Sequence, residues 1–194
     1  MIGPRTVALV TGTTFLPPDQ WYASLPSFLA SAAALITDPA GAVLVVKPNY
    51  RPWWNLPGGV VEGTEPPHLG CAREVVEELG LELPIGRLLV VDWTPPTDLR
   101  RAWFGFVFDA GTLSDPGTIR LQAAELDAAE FVAPAEAVER LNPIVAARLT
   151  AALRVRTGPT TAYLHDGIPV APQPLPCTGK PGARPRVKRP CAAA

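Results

Sequence analysis

Twenty-three residues constrain this chain more than the rest of it: Gly59, five residues, Glu65, seven residues, then Arg73-Glu74-Val75-Val76-Glu77-Glu78-Leu79-Gly80-Leu81. Seven positions of that string are Gly, Glu or Arg, and at ordinary residue frequencies such a spacing arises by chance in a chain this long with probability on the order of 10⁻⁷. The spacing predicts a helix from about Thr64 to Leu79, ended by Gly80. At about 100° per residue, Leu69, Ala72, Val76 and Leu79 fall within about 80° of one another, while Glu77, Glu74 and Glu78 fall at about 80°, 140° and 180°. One face is expected to pack and the opposite face to gather three carboxylates.

Carboxylates that close repel one another and destabilise a helix unless solvent or a cation relieves them. A hard divalent ion relieves them, and a set of oxygen-only ligands favours Mg²⁺, with Mn²⁺ the alternative, over zinc. Mg²⁺ characteristically bridges carboxylates to phosphates, so a phosphate-bearing substrate is expected. Upstream, Thr64 is placed to cap the helix, Glu65 suits its positive end, and Pro66-Pro67 fit a first turn whose amides are unpaired anyway. Gly58-Gly59 allow a bent backbone whose carbonyl can face a metal. Arg73 is placed to pair with Glu65 and pin the loop to the helix. An ordinary surface helix with a solvated acidic face explains Glu77-Glu78 alone, but not the complete spacing.

Around this segment the pattern alternates between strands and helices. Phe28–Thr37 and Val43–Lys47 flank a Pro-Gly turn and read as a hairpin; Trp53–Leu56 is a short extended piece. Strands are expected at 87–93, 102–108 and 130–132, helices at 134–141 and 143–156, and a last hairpin at 161–170. Mixed strands with helices before and after them give an α/β class and a layered sandwich.

The sequence of 194 residues divides into an N-terminal extension 1–27 without clear period, a globular domain 28–171, and a tail 172–194. The tail holds six prolines and five cations with no acid, a composition expected to be disordered and, at most, weakly attractive to nucleic acid. No apolar run reaches the length of a bilayer span and no secretory leader is evident, so the expectation is a soluble, cytoplasmic protein, monomeric or homodimeric. Cys71, Cys177 and Cys191 show no metal-ligating spacing and read as free thiols, with Cys71 a small buried residue.

The string at 59–81 resembles the Nudix box, Gx5Ex7REUxEExGU with U a bulky aliphatic residue, and the resemblance extends in pattern over residues 28–156. It implies an α/β/α sandwich with a mixed sheet that hydrolyses a nucleoside diphosphate linked to another moiety: a nucleoside triphosphate, an ADP-sugar or a dinucleotide. By resemblance Glu74, Glu77 and Glu78 with the Gly58 carbonyl are metal ligands, and Glu65 and Arg73 the supporting ion pair. The general base varies within the family; Glu74, Glu77 and a later-loop acid, here Glu125, are the candidates. Gly70 and Cys71 stand where the box helix usually carries two alanines facing the sheet. Arg51, Trp53 and Trp54, just before the box, are candidates for substrate binding, with one of the tryptophans expected in the core. Pro96 matches weakly a position favoured in ADP-sugar pyrophosphatases, and His68 and His165 are expected at the surface. The alternative reading is a non-catalytic binder or sensor of a nucleotide or ADP-ribose-type ligand on the same fold.

Overall fold

The computed structural model describes residues 16–171, and the expectations for 1–15 and for the tail lie outside them. The described residues build one eight-stranded mixed sheet, in the order β6-β2-β1-β5-β4-β7-β8, with β3 paired to β1. Its elements are α1 (Pro18–Ser24), β1 (Leu29–Thr37), β2 (Val43–Pro48), β3 (Gly58–Val60), α2 (Pro67–Leu79), β4 (Leu88–Thr94), β5 (Trp103–Thr112), β6 (Leu126–Val132), α3 (Pro134–Arg140), α4 (Pro143–Val155), β7 (Ala162–His165) and β8 (Ile168–Pro169).

Strand β1 is the hub. It runs parallel to β5 over most of its length, meets β2 at Thr37 and Val43, and holds β3 through Ser31–Val60, Ala32–Gly59 and Ala33–Gly58. Successive side chains of a strand point to opposite faces, and here each face has its own core. Ala32, Ala34, Ile36, Leu44, Val46 and Phe108 pack under α2 with Cys71, Val75 and Leu79. Leu35, Val43, Val45, Val90, Val107 and Leu164 pack under α3 and α4 with Ala137, Leu149 and Ala152. This is the α/β/α sandwich expected of the sequence.

Four expectations are corrected. The box helix begins at Pro67, with Pro66 extended at ψ 148° and no side-chain cap, so Thr64 caps nothing. The reason is steric: a residue before proline is pushed out of the α region, and the doubled proline applies this to Glu65 and Pro66 in turn. The packing face is also rotated. Cys71, Val75 and Leu79 are buried, whereas Leu69 and Val76 are about half exposed, because the sheet accepts the small Gly70-Cys71 edge and leaves the bulky Leu69 outside. Finally, β3 pairs through Gly58 and Gly59, residues without strand propensity, and β6 starts at Leu126, four residues earlier than the pattern suggested.

A buried ion pair ties the α4 layer to the far half of the sheet. Asp92 on β4 is fully buried and accepts from Arg148 Nε at 2.8 Å and from the Gly167 amide at 3.1 Å, while Arg148 also donates to Thr94 Oγ1 at 3.2 Å. Gly105 makes room: a Cβ there would lie 2.3 Å from the central guanidinium carbon. Removing one partner of a buried pair leaves an uncompensated charge. Arg148→Ala is therefore expected to lower the unfolding free energy by about 3–5 kcal/mol, read by urea denaturation. A loss below about 0.5 kcal/mol would contradict this role.

Candidate active site

The site is assembled by three glycines, two prolines and one arginine. Gly58 has φ 138°, and a Cβ there would sit 2.2 Å from the Ala32 carbonyl, so only glycine lets β3 lie this close to β1. Its amide donates to Glu78 Oε2 at 2.8 Å. Gly59 leaves the space that the Glu74 carboxylate fills, since a Cβ would fall 2.4 Å from Glu74 Oε1.

The proline-delayed helix start leaves Glu65 outside the first turn, folded back into the loop. It accepts from the Glu62 amide at 2.9 Å and from Arg73 Nε and Nη2 at 3.2 and 2.8 Å. Gly70 leaves room for this carboxylate, since a Cβ there would meet Glu65 Oε1 at 2.7 Å. Arg73 then spends its remaining donors on the Val60 carbonyl (3.1 Å), Glu74 (3.0 Å) and Glu77 (2.8 Å). One planar guanidinium thus joins loop, helix and two carboxylates, which lysine could not do. The Arg73 hydrogen bonds hold the Glu65 carboxyl below the usual carboxylate range, and Glu65 in turn raises Arg73.

The three helix carboxylates do not lie opposite the packing face but flank it, which grades their burial. Glu78, next to the sheet, is 7% exposed, Glu74 is partly buried, and the Glu77 side chain is 49% exposed. Burial pushes Glu78 up to about 8 against the stabilising Gly58 amide, with the charges of Glu74, Glu125 and Glu77 adding to the rise. Burial also raises Glu74, partly offset by Arg73.

Glu125 is brought to this cluster by the end of the helix. Gly80 closes α2 in the left-handed conformation at φ 64°, and the exposed carbonyls of Leu79 and Glu78 accept from the Arg120 and Gln122 amides at 2.7 and 3.0 Å. The loop so held continues to Glu125, whose carbonyl accepts from the Asn49 amide and whose charge is felt by both Glu74 and Glu78. Sequence reasoning missed Asn49, Arg120 and Gln122. The unpaired carbonyls at a helix end require some partner, but only the fold decides which.

The other sequence candidates are placed as follows. Trp54 is half-buried on the α3 side, packs against that core and carries the Arg140 guanidinium over its ring at 5.0 Å. Trp53 is 46% exposed, and Arg51 is exposed with its guanidinium 5.2 Å from the Tyr50 ring centre. His68 is exposed near Phe108, and His165 lies beside Trp93. Cys71 is buried and its thiol is pushed up to about 12, first by burial and then by Glu74 and Glu78, so it is not a nucleophile at neutral pH. A shallow cavity of about 440 Å³ at the β7–β8 end, lined by His165, Asp166 and Ile168, contains none of the box residues.

Glu74, Glu77 and Glu78 form an all-oxygen donor set that fits a hard divalent cation: Glu65, Glu74 and Glu77 face one guanidinium, and Glu78 has no cationic partner among the described residues. Among the described residues no three His, Cys, Asp or Glu side chains converge as a closed ligand cage, because Glu74 and Glu77 turn to Arg73 and Glu78 to the Gly58 amide.

The raised carboxyls have a consequence for stability. Between the ordinary value of 4.5 and about 8, folded Glu78 retains a proton that the unfolded chain has released. That contribution is fully present below pH 4.5 and is lost as pH rises through 8, with a slope of up to about 1.4 kcal/mol per pH unit. Metal-free protein is therefore expected to lose stability from pH 5.5 to 8, and Glu78→Gln to flatten the loss, in urea denaturation at both pH values. A Glu78→Gln variant with the same pH slope as wild type would contradict the burial argument.

The profile of the NUDIX domain family matches residues 27–153. A MutT-like protein of Streptomyces ambofaciens is 29% identical over 158 residues, covering 81% of this chain and 97% of that protein. Among solved structures, a MutT protein from Methanosarcina mazei Go1 superposes with TM-score 0.57 at 24% identity, covering 69% of this chain and 98% of that one. The NUDIX domain of Shewanella oneidensis NrtR, solved in complex with ADP ribose, superposes with TM-score 0.58 at 18% identity, covering 74% and 100%. With the whole box pattern present, its residues brought together by the fold, and the family profile spanning most of the chain, this protein belongs to the Nudix family of pyrophosphohydrolases.

Proposed function

We propose that this protein is a Mg²⁺-dependent hydrolase that cleaves a phosphoanhydride bond in a nucleoside diphosphate linked to another moiety, with Mn²⁺ able to substitute. The observation that carries the reading is electrostatic: Glu65, Glu74 and Glu77 share one counter-ion, Arg73, at an open loop, and Glu78 on the same helix is answered by the Gly58 amide and by no cation. A polyphosphate is itself anionic and is repelled from such a place unless divalent cations lie between them.

In this reading Glu74, Glu77 and Glu78, with the Gly58 carbonyl, hold the cation. When bound, it neutralises the diphosphate and acidifies the attacking water. The protein's own residues supply position and proton transfer. Arg73 and Glu65 fix the loop against the helix, so the carboxylates keep their spacing as phosphate arrives. Water attacks one phosphorus as the bond to the bridging oxygen breaks, and a carboxylate takes the proton. Glu74, partly buried and raised in basicity, suits that role; Glu125, exposed on the neighbouring loop, and Glu77 are the other candidates. In this reading Arg51 and Trp53, both exposed, contact the remainder of the substrate, and Trp54 supports them from the core side. The fold division at 27/28 and 171/172 and a cytoplasmic setting belong to the same proposal. Nucleic acid has no part in it beyond weak attraction to the tail.

The test is a panel of nucleoside triphosphates, ADP-sugars and dinucleotides incubated with Mg²⁺, with the products identified. Hydrolysis of at least one class is expected, with Glu78→Gln reducing kcat by about 10²–10⁴-fold while circular dichroism is unchanged. Unchanged turnover in Glu78→Gln would overturn the assignment. Tight binding of an ADP-ribose-type ligand with no hydrolysis of any substrate would establish the binder instead.

A further inference from the structure

The ladder between β2 and β6 ends in a proline. Its register slips by one residue between Lys47–Ala128 and Pro48–Leu126, and Pro48 has no backbone N–H to donate. Strand pairing therefore does not hold the last step of the turn that enters β6. Asn49 holds it with two donors: its backbone amide to the Glu125 carbonyl at 2.9 Å, and its side-chain Nδ2 to the Ala124 carbonyl at 2.8 Å. Asn49 is itself exposed and belongs to neither hydrophobic core, so these two bonds are its contribution to the fold.

The box helix closes the same turn from the other side. The Gln122 amide donates to the Glu78 carbonyl, and the Gln122 carbonyl accepts from the Glu125 and Leu126 amides, each at 3.0 Å. The Glu125 backbone is thus fixed at both its amide and its carbonyl, while the residue stays exposed beside the cluster whose Glu74 and Glu78 feel its charge. Asn49 in turn stands on a braced bend. Lys47 Nζ donates to the carbonyls on either side of it, Pro48 at 2.8 Å and Arg51 at 2.6 Å, and forms no salt bridge among the described residues. The strut therefore runs from β2 through Asn49 to the turn, and from the turn to α2.

We propose that Asn49 is a positioning residue for hydrolysis: it fixes the turn that presents the Glu125 carboxylate to the box cluster, and it acts on the reaction only through Glu125. The inference rests on the diphosphate reading above, in which Glu125 is a candidate proton acceptor. Glu74, Glu77 and Glu78 take their places from α2, with Arg73 and the Gly58 amide holding their carboxylates. Glu125 comes from outside the box, and no box side chain places it. A reacting group displaced by about 1 Å can cost about 10²-fold in rate, so a single bond that sets the turn carries a kinetic effect larger than its share of stability. A carboxamide suits the position because it is a neutral donor. Aspartate there would turn a carboxylate on the Ala124 carbonyl and place a second negative charge next to Glu125.

Two measurements on the full chain test this: steady-state hydrolysis in Mg²⁺ of whichever of GTP, ADP-ribose and diadenosine tetraphosphate wild type turns over, and amide hydrogen exchange read by NMR. Asn49→Ala is expected to lower kcat by about 10- to 100-fold with KM within about twofold of wild type. Exchange at the Glu125 and Leu126 amides is expected to quicken by about fivefold or more in that variant, with the α2 amides unchanged. Asn49→Asp is expected to lose as much kcat, and Asn49→Gln, which keeps the donor, to stay within about threefold of wild type. In a Glu125→Gln background, Asn49→Ala is expected to change kcat by less than about twofold. An equal loss in both backgrounds would mean a general structural role and overturn the inference. Unchanged kcat in Asn49→Ala or in Glu125→Gln, or unchanged exchange at the turn in Asn49→Ala, would also overturn it, while turnover by wild type leaves the diphosphate reading standing. Hydrolysis of none of the three substrates by wild type overturns the diphosphate reading, and a part for Asn49 in the reaction falls with it.

Discussion

Arg73 is the interaction on which the site depends. Its guanidinium reaches Glu65, the Val60 carbonyl, Glu74 and Glu77, so a loop that β3 holds against the sheet and a helix that packs on that sheet are joined at one planar group. Without it Glu65, Glu74 and Glu77 lose their shared counter-ion, and like charges on successive turns of α2 drive one another apart. Each small residue around it follows from that geometry. Gly59 yields to Glu74, Gly70 to Glu65, and Gly58 to the β1 backbone. The glycines are less a source of flexibility than the space into which carboxylates are folded.

The grading of burial along α2 gives three chemically similar residues different work. The same glutamate side chain is held near the sheet and protonatable at Glu78, half-shielded at Glu74 and water-facing at Glu77, solely through angular position on the helix. A cation arriving at such a set meets one buried donor braced by a backbone amide and others that must leave a guanidinium. On the opposite face of the sheet, charge is handled differently. Asp92 and Arg148 are matched one to one and closed by Thr94 and the Gly167 amide, a pairing that fixes structure and leaves no charge to spare.

Much of this was legible in the sequence, for definite reasons. The box spacing fixed the identities of the clustered carboxylates and the Glu65–Arg73 pair, and the turn and period signals located most strands and helices to within a few residues. The errors also have definite causes. Amphipathic geometry alone put Leu69 and Val76 in the core, because hydrophobicity was weighed without the sheet's demand for small residues at Gly70 and Cys71. The doubled proline was read as a helix start when its steric effect delays one. The aromatic contacts on the sheet were invisible in the sequence, since Phe28 meets Phe104, and Trp93 meets His165, only when β5 runs parallel to β1 and β7 parallel to β4. Local pattern marks each as a strand residue; pairing between distant strands brings them together.

The central claim is that the α2 carboxylates are a divalent-cation site and not a self-neutralised surface cluster. Titration of the metal-free protein with Mn²⁺, followed by electron paramagnetic resonance of the free ion, measures this without any assumed substrate. The account predicts at least one stoichiometric site that Mg²⁺ displaces and that is lost in a chain carrying Glu74→Gln together with Glu78→Gln. Free-ion signal that rises in proportion to added Mn²⁺ from the first addition, alike in both chains, would contradict it.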